Sequence, residues 1–177
     1  TLAWDDAQVY ELLQRGDTVG VFQLESEGMR RTLAAVKPTN FADIIALVSL
    51  YRPGPMDNIP LFGRRKNGLE QIEYPHPRLE GILAETYGVF VYQEDIMSAA
   101  VALGGFSGPE ADMLGYAIRK KKSSVLRSMK DQFVTQAAER GVAAGTIDAV
   151  FKAFEPFERY GFNKAHATCY GLIAYQT

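Results

Sequence analysis

The sequence predicts a mostly α fold, multi-helical with one or two short strands. Two observations favour this class. Apolar residues recur at about the 3.6-residue period of a helix along most of the chain, and glycine, proline and capping residues separate the periodic segments. The chain has 177 residues, 47% of them hydrophobic and 23% charged, which suits one domain, or one plus a small appendage.

The predicted helices follow from local start and stop signals. Gly16 ends the first helix, Ser26 can cap the second, and Ser107-Gly108-Pro109-Glu110 has the spacing of a capping box. The turn Arg52-Pro53-Gly54-Pro55 stops an apolar helix. In chain order the predicted helices cover residues 7–14, 26–36, 41–50, 58–66, 79–85, 94–103, 108–121, 125–140 and 146–154, and a last one begins at about Lys164.

Two segments favour extended structure because they are apolar and rich in valine and aromatic residues. Val89-Phe90-Val91-Tyr92 is predicted to be a strand, and Val19–Leu24 a short strand or extended segment. Tyr160-Gly161-Phe162-Asn163 is predicted to be the turn before the last helix.

Composition excludes several classes of function. The formal net charge is −2, so any phosphate or nucleic-acid binding must come from local clusters of Lys and Arg. The single cysteine, Cys169, cannot form an internal disulfide, which favours a reducing, cytoplasmic setting, and we expect it to be a buried core residue.

No apolar run has the length of a membrane span. No Walker-type loop and no acidic pair typical of a two-metal site occurs, so we predict neither catalytic nor metal-binding residues.

Basic side chains are concentrated in two places. The densest cluster is Arg119-Lys120-Lys121-Lys122, followed by Arg127 and Lys130. It fits either a solvated last turn, which the helix dipole favours, or a phosphate site. Arg64-Arg65-Lys66 fits first a solvated helix end and second a contact with a nucleic-acid backbone.

A second candidate site lies at the start of the last helix. Asn163 is a good N-cap, and a helix N-terminus attracts anions. Lys164 follows in the first turn, where the dipole disfavours a cation, so either a ligand or a salt bridge is indicated. His166 and Tyr170 are four residues apart and share a helix face, with a structural or a ligand role open for the histidine. Arg52, taken alone, fits a side chain that caps carbonyls at a helix end.

Five segments occur in a fixed order along the chain, at residues 19–26, 41–55, 87–94, 160–166 and 175–177. Together they resemble the VFQLES, D-I-I-A-L-…-R-P-G-P, TYG-…-YQE, YGFNKSH and YQT motifs of the alpha subunits of bacterial DNA polymerase III, the C-family replicative polymerases. Ala165 stands where serine is usual in the fourth motif.

The resemblance implies that residues 1–177 are a single fingers-domain fragment of a larger DNA-directed DNA polymerase, inactive by itself. The catalytic aspartates and their Mg²⁺ would belong to a palm outside this chain, while the fingers bind and position the incoming deoxynucleoside triphosphate. Asn163, Lys164 and His166 would face that nucleotide, with His166 near the sugar and Arg52 close to the same pocket. The implied partners are primer–template DNA, the rest of the polymerase and replisome subunits such as the sliding clamp.

The chain departs from this family where an arginine pair, in R-R-A-M-G-K-K, is used on the triphosphate. Here the span is Gly115-Tyr116-Ala117-Ile118-Arg119-Lys120-Lys121, with an arginine where glycine is usual. Because Gly115 and Arg119 are about 6 Å apart along one helix face, our hypothesis is that Arg119 replaces the missing pair. The nucleotide residues then include Lys120, Lys121 and Lys122, and the residues expected on the DNA backbone are Arg64, Arg65, Lys66, Arg127 and Lys130. The alternative is a stand-alone helical nucleic-acid-binding module.

Overall fold

The computed structural model describes residues 3–154 and 162–177, and these residues are mostly helical. In chain order the α-helices are α1 Ala7–Arg15, α2 Glu27–Val36, α3 Phe41–Leu50, α4 Ile59–Lys66, α5 Glu80–Leu83, α6 Gln93–Gly104, α7 Gly108–Arg119, α8 Ser123–Glu139, α9 Ala144–Phe154 and α10 Lys164–Gln176. Short 3-10 helices cover Pro55–Asn58, Pro77–Leu79 and Ala84–Thr86. The predicted mostly α class is confirmed, and most helix ends lie within two residues of their predicted positions.

The chain divides into two compact units. The first comprises Thr1–Ile72 together with Lys164–Thr177, and the second is Glu73–Asn163. The two ends of the sequence therefore belong to the same unit. That residues 1–177 are a single fingers-domain fragment stays a prediction.

Helix α3 is the centre of the first unit, because every residue from Asp43 to Leu50 is buried. It packs against α10, where Gly171 lies so close that a Cβ there would be 3.2 Å from Ile45 Cγ1. The N-terminal end of α3 is capped as its sequence suggests, since Asn40 Oδ1 accepts a hydrogen bond of 3.0 Å from the Asp43 N–H.

The second unit is built around one apolar cluster contributed mainly by α6, α7, α8 and α9. Phe133 on α8 is its central ring and makes edge contacts with Phe106 at 6.3 Å and with Phe151 at 5.6 Å. The predicted capping box is confirmed: Glu110 Oε2 accepts from Ser107 N–H at 2.7 Å, which fixes the start of α7.

The strand prediction for Val89-Phe90-Val91-Tyr92 is wrong. Within the described residues the segment makes only one isolated bridge, from Tyr92 to Phe162. Side chains take the place of a partner strand: Asp95 Oδ2 accepts from the N–H groups of Val91 and Tyr92, at 2.9 and 2.8 Å. The apolar side chains are buried although the described residues form no sheet.

The extended segment predicted at Val19–Leu24 is also wrong, since these residues form successive turns. Gly20 and Gln23 have φ values of 84° and 64°, which bend the backbone. The hydroxyl of Thr18, itself buried, closes the segment by donating to the carbonyl of Leu24 at 2.6 Å.

Two further predictions concern the last part of the chain. Tyr160 and Gly161, the first half of the predicted turn, lie outside the described residues. Cys169 is exposed, so its predicted burial is wrong. The buried face of α10 is formed by Ala167, Gly171 and Ala174, and a residue two positions from Ala167 points to the other side of a helix. None of the helices described here is both long and apolar enough to cross a membrane.

Candidate functional site

Three rings form a row in the first unit. His166 and Tyr170 on α10 lie edge to face, with ring centres 4.6 Å apart, which confirms that they share a helix face. Phe22 also stacks on Tyr170, with ring centres 5.5 Å apart and an interplanar angle of 20°. Its backbone N–H donates to Thr177 Oγ1 at 3.1 Å, which ties the turn segment to the end of α10. His166 is exposed, so the row ends at the surface of the unit.

Arg52 lies in the tight turn after α3, in the same unit. Gly54 has a φ of 95°, a conformation that favours glycine and so fixes the path of this turn. Burial lowers the pKa of the Arg52 guanidinium below its ordinary value, and the neighbouring Tyr170 acts in the opposite direction. The interaction with Tyr170 connects Arg52 to the row of rings, and an arginine at this position still carries its charge at neutral pH.

The residues at the start of α10 fall in different units. Lys164 is the first residue of the helix, half-buried, and belongs to the first unit. Asn163 precedes it at the N-cap position and belongs to the second, where its Nδ2 donates to Glu94 Oε1 at 2.7 Å. Glu94 thereby fixes the direction of the Asn163 amide. No local sequence signal indicates this contact, because the two residues are 69 positions apart.

The basic run in the second unit is exposed throughout. Arg119 ends α7, and the next three lysines connect it to α8, with Lys121 in a left-handed conformation at φ 51°. The backbone of this connection is closed by a bond from Lys122 N–H to the Ala117 carbonyl at 2.9 Å. Among the residues that the structure describes, no carboxylate or carbonyl pairs with the side chains of Arg119, Lys120, Lys121 or Lys122. Four positive charges are therefore available to an anion.

Arg119 lies where the one-turn hypothesis requires it. A Cβ at Gly115 would be 3.1 Å from Arg119 Nη1 and 2.6 Å from Met97 Sδ. The guanidinium is thus folded back beside the position from which an arginine at 115 would start. The bare backbone of Gly115 leaves that space to Arg119 and Met97.

Arg127 and Lys130 continue the positive charge along α8. With Ser123 and Leu126 they line a small pocket of about 240 Å³. Arg127 is exposed, whereas Lys130 is partly buried and its Nζ lies 5.8 Å from the centre of the Phe151 ring. Arg127 is therefore the more exposed of these two cations.

The cluster Arg64-Arg65-Lys66 is different because acidic side chains of its own unit neutralise it. Lys66 Nζ lies 3.3 Å from Asp43 Oδ2, with the two side chains 5% and 0% exposed, and it donates to Thr39 Oγ1 at 3.0 Å. Arg64 Nε pairs with Glu70 at 2.8 Å. A contact of this cluster with DNA stays a prediction, and Lys66 would have to leave a buried ion pair to make one.

The comparisons with known proteins bear on both units. Residues 1–141 match the family model described as the bacterial DNA polymerase III alpha subunit finger domain. The chain belongs to this family. Relatives named "DNA polymerase III subunit alpha" include that of Halalkalibacterium halodurans, 50% identical over 99% of this chain, and that of Aquifex aeolicus, 48% identical over 99%. The protein of Thermus aquaticus is 49% identical over 99% of the chain.

The chain spans about 15% of the length of these relatives, 16% of the Halalkalibacterium halodurans protein and 15% of the other two. The match therefore places it as a finger-domain segment of this family and confirms the resemblance drawn from the five motifs. Within the described residues no group of three or more His, Cys, Asp or Glu side chains is arranged to hold a metal ion.

Proposed function

We propose that this finger-domain segment binds the incoming deoxynucleoside triphosphate of a replicative DNA polymerase and positions it against the template. The observation that carries the proposal is the placement of Arg119 beside Gly115 within a run of four exposed cations that lack an anionic partner among the described residues. The run occupies the span that the family resemblance assigns to the triphosphate.

Arg119 is suited to this role by chemistry as well as position. A guanidinium presents a planar fork of donors that can bind two phosphate oxygens at once, and such charge-assisted bonds are about twice as strong as neutral ones. Lys120, Lys121 and Lys122 add compact charges that need no fixed geometry. Together they would neutralise the triphosphate and stabilise the charge that develops when its pyrophosphate leaves.

The other proposed nucleotide contacts are made by Asn163, Lys164, His166 and Arg52. The edge contact with Tyr170 holds the His166 ring in one orientation at the surface, as a side chain that discriminates by bulk requires. We assign His166 to the sugar, where it would exclude a 2′-hydroxyl, and Arg52 and Lys164 to charged groups of the nucleotide. The hydrogen bond to Glu94 presents the Asn163 amide in a fixed direction.

Nucleotidyl transfer itself would be performed by the longer polymerase. When bound to palm carboxylates outside this chain, Mg²⁺ ions would activate the primer hydroxyl and neutralise the leaving group. The contribution of the present residues is binding, orientation and charge neutralisation. Primer–template DNA, the rest of the polymerase and replisome subunits such as the sliding clamp are the proposed partners, and replication would place the protein in the cytoplasm.

Steady-state incorporation of a single nucleotide by the full-length polymerase tests the proposal. Arg119→Ala should raise the KM for nucleotide or lower kcat by 10-fold or more, since a charged hydrogen bond is worth about 1.5–3 kcal/mol. Primer–template affinity should stay nearly unchanged. Adding Gly115→Arg to this variant should restore part of the loss, because it supplies a guanidinium one turn earlier on the same helix face. The new Cβ requires the flexible end of the Met97 side chain, 2.6 Å away, to shift.

Arg31→Ala is the matched control, because Arg31 is an exposed helical arginine whose partner, Glu27, lies one turn away. It should leave the nucleotide dependence unchanged. Equal nucleotide dependence of the wild-type and Arg119→Ala polymerases would contradict the proposal. A loss confined to DNA binding would also contradict it, and would assign the basic run to the DNA backbone.

A further inference from the structure

The exposed face of α7 carries an aromatic platform. Met113 and Tyr116 are three residues apart and therefore on one side of the helix, and they are 50% and 42% exposed. Across residues 3–154 and 162–177, the Tyr116 side chain has no hydrogen-bond or ring partner. A large, partly exposed ring with no hydrogen-bond or ring partner among the described residues is available to a flat ligand.

Cations continue the same face toward the end of the helix. Arg119 and Lys120 follow Tyr116 by three and four residues, the spacing that brings helical side chains together. The left-handed Lys121 then turns the chain into α8, where Arg127 is exposed. The result is a basic strip, Arg119–Lys122 with Arg127, that begins beside an aromatic ring.

The extent of this strip favours a strand over a single small anion. The pocket on α8 is lined by residues from Ser123 to Lys130, which span about 10 Å at 1.5 Å per residue. A strand that keeps helical stacking carries a phosphate about every 3.4 Å, and an unstacked strand carries them further apart, so the α8 part could follow about two or three phosphates. The exposed carboxylate of Asp112 lies one turn before Tyr116 and would repel phosphates from that end. The phosphates are therefore expected on the lysine side of the ring.

We propose that Tyr116 stacks on an unpaired base of single-stranded DNA whose phosphates lie along the α8 end of the basic strip, at Arg127, with Met113 widening the platform. Arg119–Lys122 remain assigned to the triphosphate. Bases within a duplex already stack on their neighbours, whereas an unpaired base has a free face, which is why aromatic rings beside cations favour single strands. The inference rests on the proposed function in one respect, because the strand would be the template ahead of the primer end.

The test uses the full-length polymerase and primer–template DNA with a single-stranded template overhang. Affinity is measured by fluorescence anisotropy for intact DNA and for a series in which one overhang nucleotide at a time is abasic. Loss of one base stack corresponds to about 5- to 100-fold in affinity. The wild type should show this loss at one overhang position. Tyr116→Leu should show it on intact DNA and no further loss at that abasic position, while Tyr116→Phe should behave like the wild type.

Three results would overturn the inference. One is a wild-type abasic series with no sensitive position, which needs no variant and so does not depend on how a variant folds. Another is a Tyr116→Leu protein that still discriminates against the abasic position. A raised nucleotide KM with unchanged DNA affinity would likewise overturn it, by assigning the ring to the incoming nucleotide. Because the nucleotide assay of Arg119→Ala is independent, either proposal can fail while the other stands.

Discussion

Two clusters of cationic side chains, one in each unit, are similar in sequence and different in their surroundings. Lys66 in the first unit is buried against Asp43, and Arg64 is paired with Glu70. Arg119–Lys122 in the second unit is exposed, and no carboxylate among the described residues neutralises it. A cation that already has a buried acidic partner contributes to the folded structure. In an exposed run of cations without partners, the like charges repel one another and attract anions. The comparison therefore separates structural charges from candidate binding charges.

The largest effect is expected at the buried pair. Asp43→Ala removes the partner of Lys66 and the acceptor of the Thr39 N–H and hydroxyl, at 2.9 and 3.3 Å. We expect a loss of about 3–5 kcal/mol in the free energy of unfolding, because a buried charge is left uncompensated. Urea unfolding of the 177-residue chain measures it. Asp17→Ala is the control, since the ion pair of Asp17 with Arg15 is exposed and worth about 0–1 kcal/mol. Equal losses of unfolding free energy in the two variants would contradict a structural role for the buried Lys66–Asp43 pair.

A smaller effect is expected at the capping box that starts the helix carrying the basic run. Ser107→Ala should cost about 1 kcal/mol, the usual value of an N-cap side chain. Ser128→Ala, an exposed position inside α8, should change stability by less than about 0.5 kcal/mol. Thermal or urea unfolding compares the two. A loss at Ser128 as large as that at Ser107 would show that the box does not stabilise α7.

The same box predicts a pH dependence. Hydrogen bonds from the Ser107 N–H, the Ser107 hydroxyl and Gln132 hold the pKa of Glu110 below its ordinary value of 4.5. A depressed carboxyl pKa gives stability that is present above the unfolded pKa and is lost as the pH falls through the folded value. The stability difference between the wild type and Glu110→Gln should therefore be constant well above pH 4.5 and shrink as the pH falls below this value and through the lowered folded pKa. A difference that stays constant over this range, in unfolding curves recorded at each pH, would contradict the assignment.

The smallest effect on stability is expected in the basic run itself. Lys120→Gln combined with Lys122→Gln should change the free energy of unfolding by less than about 0.5 kcal/mol, because both side chains are exposed and without partners among the described residues. In the full-length polymerase the slope of log affinity against log salt for primer–template should fall by up to about 2 if both lysines contact DNA phosphates. An unchanged slope with weaker nucleotide binding would restrict them to the triphosphate. A large loss of stability in the double variant would contradict the view that these lysines, unlike Lys66, have no structural role.

Sequence patterns predicted those parts of the fold that depend on neighbouring residues. The Ser107 capping box, the glycine stop at Gly16 and the apolar helix at Phe41–Leu50 were all predictable, because their signals lie within one or two helical turns. The strand at Val89–Tyr92 was not correctly predicted. Its apolar pattern indicates burial, and the carboxylate of Asp95 satisfies backbone groups that would otherwise need a strand partner.

The candidate site divides in the same way. Spacing alone placed His166 and Tyr170 on one face and Arg119 one turn from Gly115, and the structure confirms both arrangements. The stacking of Phe22 on Tyr170 was not predictable, since the turn segment and the end of α10 meet from positions 155 residues apart in the chain.

By itself, then, the sequence determined the helical class, the family and the identity of the charged residues, because periodicity, caps and motifs are local and ordered along the chain. Only the tertiary structure decided which of these charges are neutralised by an acidic side chain and which remain available to a ligand. Lys66 and Arg119 both lie at or near helix ends rich in cations. Lys66 contacts Thr39, 27 positions away, and the buried Asp43, whereas Arg119 lies beside the bare backbone of Gly115 and has no acidic partner among the described residues. Burial and pairing arise from packing between distant segments, and that packing separates a structural lysine from an arginine available to a ligand.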